Sequence, residues 1–293
     1  MNPINRRDFM KFTSAGALAA PFIAPALAAA EVAPPAPLTA ATVRTLGKTG
    51  LKCSLLGMGT GTEAWNGSSA QNRRGRDTFI GVLEHAHAKG VTYFDMADMY
   101  GAHDYMKEAL KRSISRDKVM LLTKTVSREP GLLKADLERF RKELDTDCLD
   151  IVLLHCLEKP GWTESLKPCM DVLEEAKQKK IIRAHGCSNH NLDCLKEAAA
   201  SPWVDVILAR INPHGVKMDG KPEEVVPVLR QAHDNGKGIL GMKIVGEGEL
   251  KDRIPESVKF VLSLGCVDAI AVGFEVTSDV DGVIKHIEDA KVV

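Results

Sequence analysis

Aromatic residues make up only 5% of this chain, and its 39 Lys and Arg are matched by 39 Asp and Glu. The first scarcity argues against a pocket walled by many aromatic rings. The second leaves no strongly basic surface for nucleic acid or acidic lipid. None of the seven cysteines (Cys53, Cys148, Cys156, Cys169, Cys187, Cys194 and Cys266) forms a C-x-x-C pair, and their number is odd. No essential disulfide is expected, because a chain this long can bury a full apolar core without one. His103, His185 and His190 lack H-x-H or H-E-x-x-H spacing, which argues against a metal-dependent hydrolase or isomerase.

What is present is the composition of a soluble globular protein, 44% hydrophobic and 27% charged. The N-terminus carries a separate signal. Asn5-Arg6-Arg7-Asp8-Phe9-Met10-Lys11 precedes an Ala-rich run from Ala15 to Ala30, with small-residue cleavage candidates at Ala26-Leu27-Ala28 and Ala28-Ala29-Ala30. This pattern resembles a twin-arginine (Tat) signal peptide over residues 1–30. It implies export by the Tat machinery to the periplasm. Pro21 and Pro25 break the run, which is too short for a stable membrane span. Loss of Arg6, Arg7 and Lys11 together with Asp8 leaves a net charge of about −2. Residues 31–41 are rich in Pro and Ala and read as a linker.

From residue 54 onward, short apolar runs alternate with amphipathic stretches of helical period. The strand candidates are Ser54–Thr60, Thr92–Ala97, Val119–Lys124, Asp150–His155, Ile181–Cys187, Val204–Ile211, Gly238–Ile244 and Asp268–Gly273. The helix candidates are Asp77–Lys89, Asp104–Arg112, Leu132–Leu144, Glu164–Gln178, Leu192–Ala200, Glu223–Asn235, Ser257–Leu264 and Asp279–Ala290. Eight β-then-α units predict a parallel sheet, and eight strands close it into a (β/α)8 TIM barrel over residues 42–293. No G-x-G-x-x-G turn follows the first strand candidate, which disfavours an open dinucleotide-binding sheet. Val43–Cys53 reads as a short N-terminal β-hairpin capping the barrel bottom.

Active sites of such barrels lie at the C-terminal ends of the strands. There the sequence offers Asp95, Tyr100 in the loop beyond it, Lys124 and His155. A lone Lys at a strand end is ordinarily a surface charge, and a lone His after an apolar strand a core residue. Together, in order on strands two to four, they suit carbonyl chemistry. A phenol is a poor proton donor or acceptor near neutral pH. A neighbouring ammonium would draw its pKa down, a carboxylate would orient that ammonium, and a neutral imidazole would donate to the substrate oxygen.

Phe94-Asp95-Met96-Ala97-Asp98-Met99-Tyr100-Gly101 resembles the F-D-T-A-x-x-Y-G signature of the aldo-keto reductase family. Leu122-Thr123-Lys124, Leu154-His155, Arg183-Ala184-His185-Gly186-Cys187-Ser188-Asn189 and Gly57-Met58-Gly59-Thr60 are similar to further family motifs, in order across residues 43–290. The resemblance implies an NAD(P)(H)-dependent oxidoreductase acting on a small-molecule carbonyl or alcohol. It assigns Tyr100 as general acid and base, tuned by Asp95, Lys124 and His155. It implies Ser188 and Asn189 at the nicotinamide carboxamide, with Gly59 and Thr60 near the ribose or pyrophosphate. Ser188 and Asn189 also suit the N-cap of the next helix.

The later strands depart from the family pattern. Leu208 stands where the family often has Gln, and Gly241-Met242-Lys243-Ile244 offers no aromatic for the nicotinamide. Arg210 and Lys243 are candidate cations for the cofactor. Where the family presents Lys, Ser and Arg to an adenosine 2′-phosphate, this chain has Gly273-Phe274-Glu275-Val276-Thr277-Ser278-Asp279. Glu275 would repel a phosphate but accept a ribose hydroxyl, so NADP(H) and NAD(H) both stay open. The alternative reading is a non-catalytic or weakly catalytic cofactor- or ligand-binding barrel of the periplasm. Trp65 and Trp162 are candidate pocket walls.

Overall fold

The computed structural model describes residues 36–292; the twin-arginine segment and the first part of the linker lie outside them. A two-stranded antiparallel hairpin opens the fold, β1 (Val43–Thr45) against β2 (Lys52–Ser54). Eight parallel strands then close a barrel in chain order: β3 (Leu56–Gly59), β4 (Tyr93–Asp95), β5 (Met120–Thr125), β6 (Leu149–Leu157), β7 (Ile182–Asn189), β8 (Val206–Arg210), β9 (Gly238–Met242) and β10 (Ala269–Gly273), with β10 returning to β3. Around it run α1 (Ala70–Arg73), α2 (Arg76–Ala88), α3 (His103–Arg112), α4 (Pro130–Leu144), α5 (Trp162–Ser165), α6 (Lys167–Gln178), α7 (Leu192–Ala200), α8 (Pro222–Asp234), α9 (Ile254–Ser263) and α10 (Thr277–Ala290).

Two apolar layers hold this arrangement, because strand side chains alternate between barrel interior and helix shell. The interior is filled by Tyr93, Leu122, Ile151, Leu153, Val206, Leu208 and Leu240. Gly57 makes room for the largest of these, since a Cβ there would lie 2.0 Å from the Tyr93 ring. Leu46, Leu51 and Cys53 of the hairpin join the same interior cluster and plug the barrel bottom, as the sequence predicts. At that end Asp150, 2% exposed, accepts from Arg116 at 2.8 Å and Arg183 at 2.6 Å. Arg183 is therefore a bottom-end ion-pair partner, remote from the mouth.

Some boundaries differ from the sequence reading. Leu38 and Ala40, assigned to the linker, lie on the barrel: Leu38 N–H donates to Val292 O at 2.8 Å, and Ala40 is 2% exposed. The helix expected at Glu164–Gln178 is broken into α5 and α6 at Leu166. Pro168, at the start of α6, favours a helix beginning there rather than one running through. All seven cysteines are free thiols. No described helix is long and apolar enough to cross a membrane.

Candidate active site

Alternation along β4, β5 and β6 sends Asp95, Lys124 and His155 inward, two positions above Tyr93, Leu122 and Leu153. Below them the barrel is apolar; at this level it turns polar. Lys124 Nζ donates to Asp95 Oδ1 at 2.6 Å and to the Met96 carbonyl at 2.6 Å. Tyr100 arrives from a one-turn 3-10 helix, Asp98–Tyr100, closed by Gly101 in the left-handed region. Its ring centroid lies 4.6 Å from Lys124 Nζ. Its hydroxyl is 3.3 Å from His155 Nε2. All four predicted catalytic side chains are brought together.

His155 is aimed by an irregularity in its strand. The register of β6 against β7 shifts between Leu154 and Leu157, and Cys156 has φ +54. Such left-handed backbone is uncommon for a residue with a side chain, and bulges of this kind recur beside active sites. Ser188 helps to hold it, its Oγ accepting the Cys156 N–H at 3.0 Å.

Burial is the dominant influence on the charges here. It pushes the Tyr100 phenol well above its ordinary value, and the Asp95 carboxylate adds to the effect. The expected lowering by Lys124 is not found, because its ammonium faces the ring and is bonded to Asp95 and Met96 instead of the hydroxyl. Tyr100 thus keeps its proton at neutral pH. His155 is held well below the usual imidazole range by burial and then by the nearby Lys124 charge, so its ring is neutral. Burial raises Asp95 and lowers Lys124, while their pairing opposes both shifts.

Beside Tyr100 opens a cavity of about 530 Å³, lined also by Gly59, Asp95, Lys243, Glu247 and Glu275. That volume is in the range of small-molecule and cofactor sites. Residues 56–259 match the model of the Aldo/keto reductase family. The chain belongs to this family.

Among curated relatives, an NADP(+) aldo-keto reductase of Schizosaccharomyces pombe is 24% identical over 184 residues, covering 58% of this chain and 52% of the relative. An NADH-specific methylglyoxal reductase of Escherichia coli is 25% identical over 218 residues, covering 65% of this chain and 63% of the relative. The chain thus spans between half and two thirds of these relatives' length. The holo form of an aldo-keto reductase from Bacillus halodurans superimposes with a TM-score of 0.70 at 20% identity, over 84% of this chain and 90% of that one. That likeness establishes the shared barrel.

All the candidate cofactor residues but Arg210 fall into two groups in this aldo-keto reductase. Gly59, Lys243 and Glu275 line the cavity. Thr60, Ser188 and Asn189 are fully buried, and Thr60 Oγ1 donates to the Asp95 carbonyl at 2.9 Å. Asn189 Oδ1 is buried without a hydrogen-bond partner. Asn191, not Ser188 or Asn189, caps α7. Both candidate cations are already engaged: Arg210 pairs with the buried Asp219, and Lys243 with Glu247 at 2.7 Å. Glu275 meets Arg74 at 2.9 Å.

Several positioning residues escape a reading of the sequence. Asn72 Nδ2 donates to the Tyr100 carbonyl at 3.1 Å, and Ser69 and Asn72 form a capping box at the start of α1. Asn72 stands where the usual sequence pattern of such a box has Glu or Gln, which hides it from the sequence. Arg139 Nη1 lies 2.8 Å from Asp98, in the turn that carries Tyr100. His103 is clamped between Glu143 at 2.7 Å and Thr123 at 2.8 Å, next to Lys124 in the chain. A Cβ at Gly61 would lie 2.3 Å from the Tyr100 ring, so only glycine allows the ring this position. Of the tryptophans, Trp162 is 2% exposed with its Nε1 donating to Cys194 O, while Trp65 is 74% exposed.

Proposed function

We propose that this aldo-keto reductase interconverts an aldehyde or ketone and an alcohol by hydride transfer, with Tyr100 as general acid and base. The observation that carries the proposal is the 3.3 Å approach of the Tyr100 hydroxyl to His155 Nε2 above the buried Lys124–Asp95 pair. A protonated phenol and a neutral imidazole at one point can both donate to a carbonyl oxygen as negative charge develops on it. Lys124 offsets that charge without competing for the proton, and Asp95 fixes the ammonium.

A nicotinamide dinucleotide, when bound, supplies or accepts the hydride. The residues fit such a group. The unpartnered Asn189 Oδ1 suits a carboxamide N–H, and Ser188 Oγ, accepting from Cys156, keeps its own proton to donate. We further infer a preference for NAD(H). Glu275 and Asp279 put carboxylates at the cavity rim, and Asp279 Oδ2 already takes the Glu275 N–H at 2.9 Å and the Val276 N–H at 3.2 Å. Those amides would otherwise attract a phosphate. Export by the Tat route, which delivers folded proteins, fits residues 1–30 and would suit a protein loaded with its cofactor before transport. Western blotting of periplasmic and cytoplasmic fractions, with Arg6→Lys/Arg7→Lys as control, tests this. A wild-type protein confined to the cytoplasm refutes it.

The function itself is tested by titrating tryptophan fluorescence with NADH, NAD, NADPH and NADP after checking for pre-bound nucleotide. Micromolar binding supports the oxidoreductase. No binding and no bound nucleotide would favour a ligand-binding barrel without redox chemistry.

A further inference from the structure

Strand pairing is interrupted where β6 bulges. Leu154 pairs with Thr125 on one side and Cys187 on the other, and Leu157 pairs with Asn189, but His155 and Cys156 have no paired residue. The peptide group joining these two has a carbonyl and an N–H that the ladder does not satisfy, and buried groups of that kind need partners. Two side chains supply them. Ser188 Oγ, on β7, accepts the Cys156 N–H at 3.0 Å. Arg128, in the loop after β5, donates one Nη to the His155 carbonyl. Both polar ends of one peptide group are therefore held by side chains from the two neighbouring segments. The next backbone angle, φ +54 at Cys156, is one that a residue with a side chain keeps only where its surroundings enforce it.

Arg128 reaches that carbonyl from a fixed base. Asp136 of α4 collects the Thr125 hydroxyl at 2.5 Å and the Ser127 hydroxyl at 2.6 Å, and Thr125 Oγ1 accepts the Ser127 N–H at 3.0 Å. The other Nη of Arg128 donates back to the Ser127 carbonyl at 3.3 Å. The guanidinium is half-buried, and among the described residues no carboxylate lies within ion-pair distance of it. A desolvated cation without a paired anion is costly, so its contribution here is the carbonyl it holds. A charged donor makes a stronger bond to a carbonyl than a neutral one.

The imidazole on the near side of this peptide meets the Tyr100 hydroxyl at 3.3 Å. We propose that Arg128 is a positioning residue for His155: by holding its carbonyl, Arg128 keeps the bulge in place and Nε2 at the Tyr100 hydroxyl. This role rests on the carbonyl-reducing function proposed above. Arg128 also acts on the ring through its charge. Burial is the main reason that His155 stays neutral, and Arg128 is among the cations that add to it.

The test measures kcat for Arg128→Gln in two backgrounds, the wild type and His155→Gln. The probes are 4-carboxybenzaldehyde and its methyl ester, a charged and an uncharged aldehyde of one shape. In the wild-type background kcat is expected to fall by about 10- to 100-fold, as for a reacting group displaced by roughly 1 Å. In His155→Gln the same substitution is expected to cost less than about twofold, because residues that act as one unit do not add. Arg128→Lys, which keeps a charged donor, is expected to retain part of the activity. An equal loss in both backgrounds, or no loss in either, overturns the role of Arg128 and leaves the oxidoreductase intact. Should Arg128→Gln fail to fold, Arg128→Lys is measured in both backgrounds, with a smaller loss expected in the first and none in the second. If the wild type reduces neither aldehyde with any nicotinamide cofactor, it is the proposed function that fails. Crystal structures of the wild type and the Arg128 variant then still decide the role of Arg128. A Tyr100 hydroxyl to His155 Nε2 separation that opens beyond about 3.5 Å, past hydrogen-bond reach, supports it. An unchanged separation refutes it.

Discussion

The Tyr100 hydroxyl stands 3.3 Å from His155 Nε2, and both groups are kept uncharged by burial. Two neutral donors converging on one point suit an oxygen that gains negative charge during reduction. Tyr100→Phe removes the only one of the two that can hand over a hydroxyl proton. Its kcat is expected to fall by about 10²- to 10⁴-fold, the usual size of general acid–base assistance. Dinucleotide affinity, read by fluorescence titration, is expected to stay within a few-fold of wild type. Parallel loss of both would indicate a structural role instead.

Gly61 holds the space that the Tyr100 ring occupies, since a Cβ there would stand only 2.3 Å from it. Gly61→Ala is therefore expected to displace the ring and lower kcat/KM by about 10²-fold, the effect of roughly 1 Å of misplacement. The thermal midpoint is expected to change little, because the substitution is at the open mouth. Wild-type kcat/KM in Gly61→Ala would contradict the placement of the ring.

His190 has its imidazole held at about 4 by burial and by the charges of Arg210 and Lys243. Its ordinary value in an unfolded chain is about 6.5. Between these values the unfolded state binds more protons, so stability is complete above about pH 6.5 and is lost as pH falls toward 4. His155 acts in the same direction. Thermal melts from pH 7.5 to 4.5 are expected to show a falling midpoint, with a shallower slope in His190→Gln. The same slope in both proteins would remove His190 from the explanation.

Glu275 is only loosely held. It is a partly exposed carboxylate, and its exposed pairing with Arg74 is of a kind that contributes little stability. Glu275→Ser is expected to leave Arg74 free for a phosphate and to raise the ratio of NADPH to NADH kcat/KM by at least about 10-fold. A ratio unmoved by the substitution would place the adenosine end elsewhere.

Much of the fold is legible because a parallel barrel writes itself as eight buried apolar runs spaced by amphipathic helices, and strand-end polarity then marks the mouth. Asp95, Lys124 and His155 stand out since each follows apolar neighbours at the inward phase. Tyr100 is found through its motif. What stays hidden depends on contacts between distant segments. Glu247 stands four residues beyond Lys243, a spacing the sequence does show, whereas nothing announces that the chain folds Asp219 back onto Arg210 or which ring needs the space beside Gly61. The Tyr100 pKa is misread from sequence for the same reason: the sequence offers an ammonium, but only the folded chain shows it turned to the ring face and bonded to Asp95. The bulge at Cys156 is likewise a product of strand pairing.

The most direct measurement of the central claim is transfer of a labelled hydride. The protein would be incubated with nicotinamide cofactor deuterated at C4 and with 4-carboxybenzaldehyde or its ester, and the alcohol analysed by mass spectrometry. The account predicts one deuterium on the carbinol carbon with wild type and none above background with Tyr100→Phe. Alcohol formed without deuterium from either face of the cofactor, or labelled equally by the Phe variant, would contradict it.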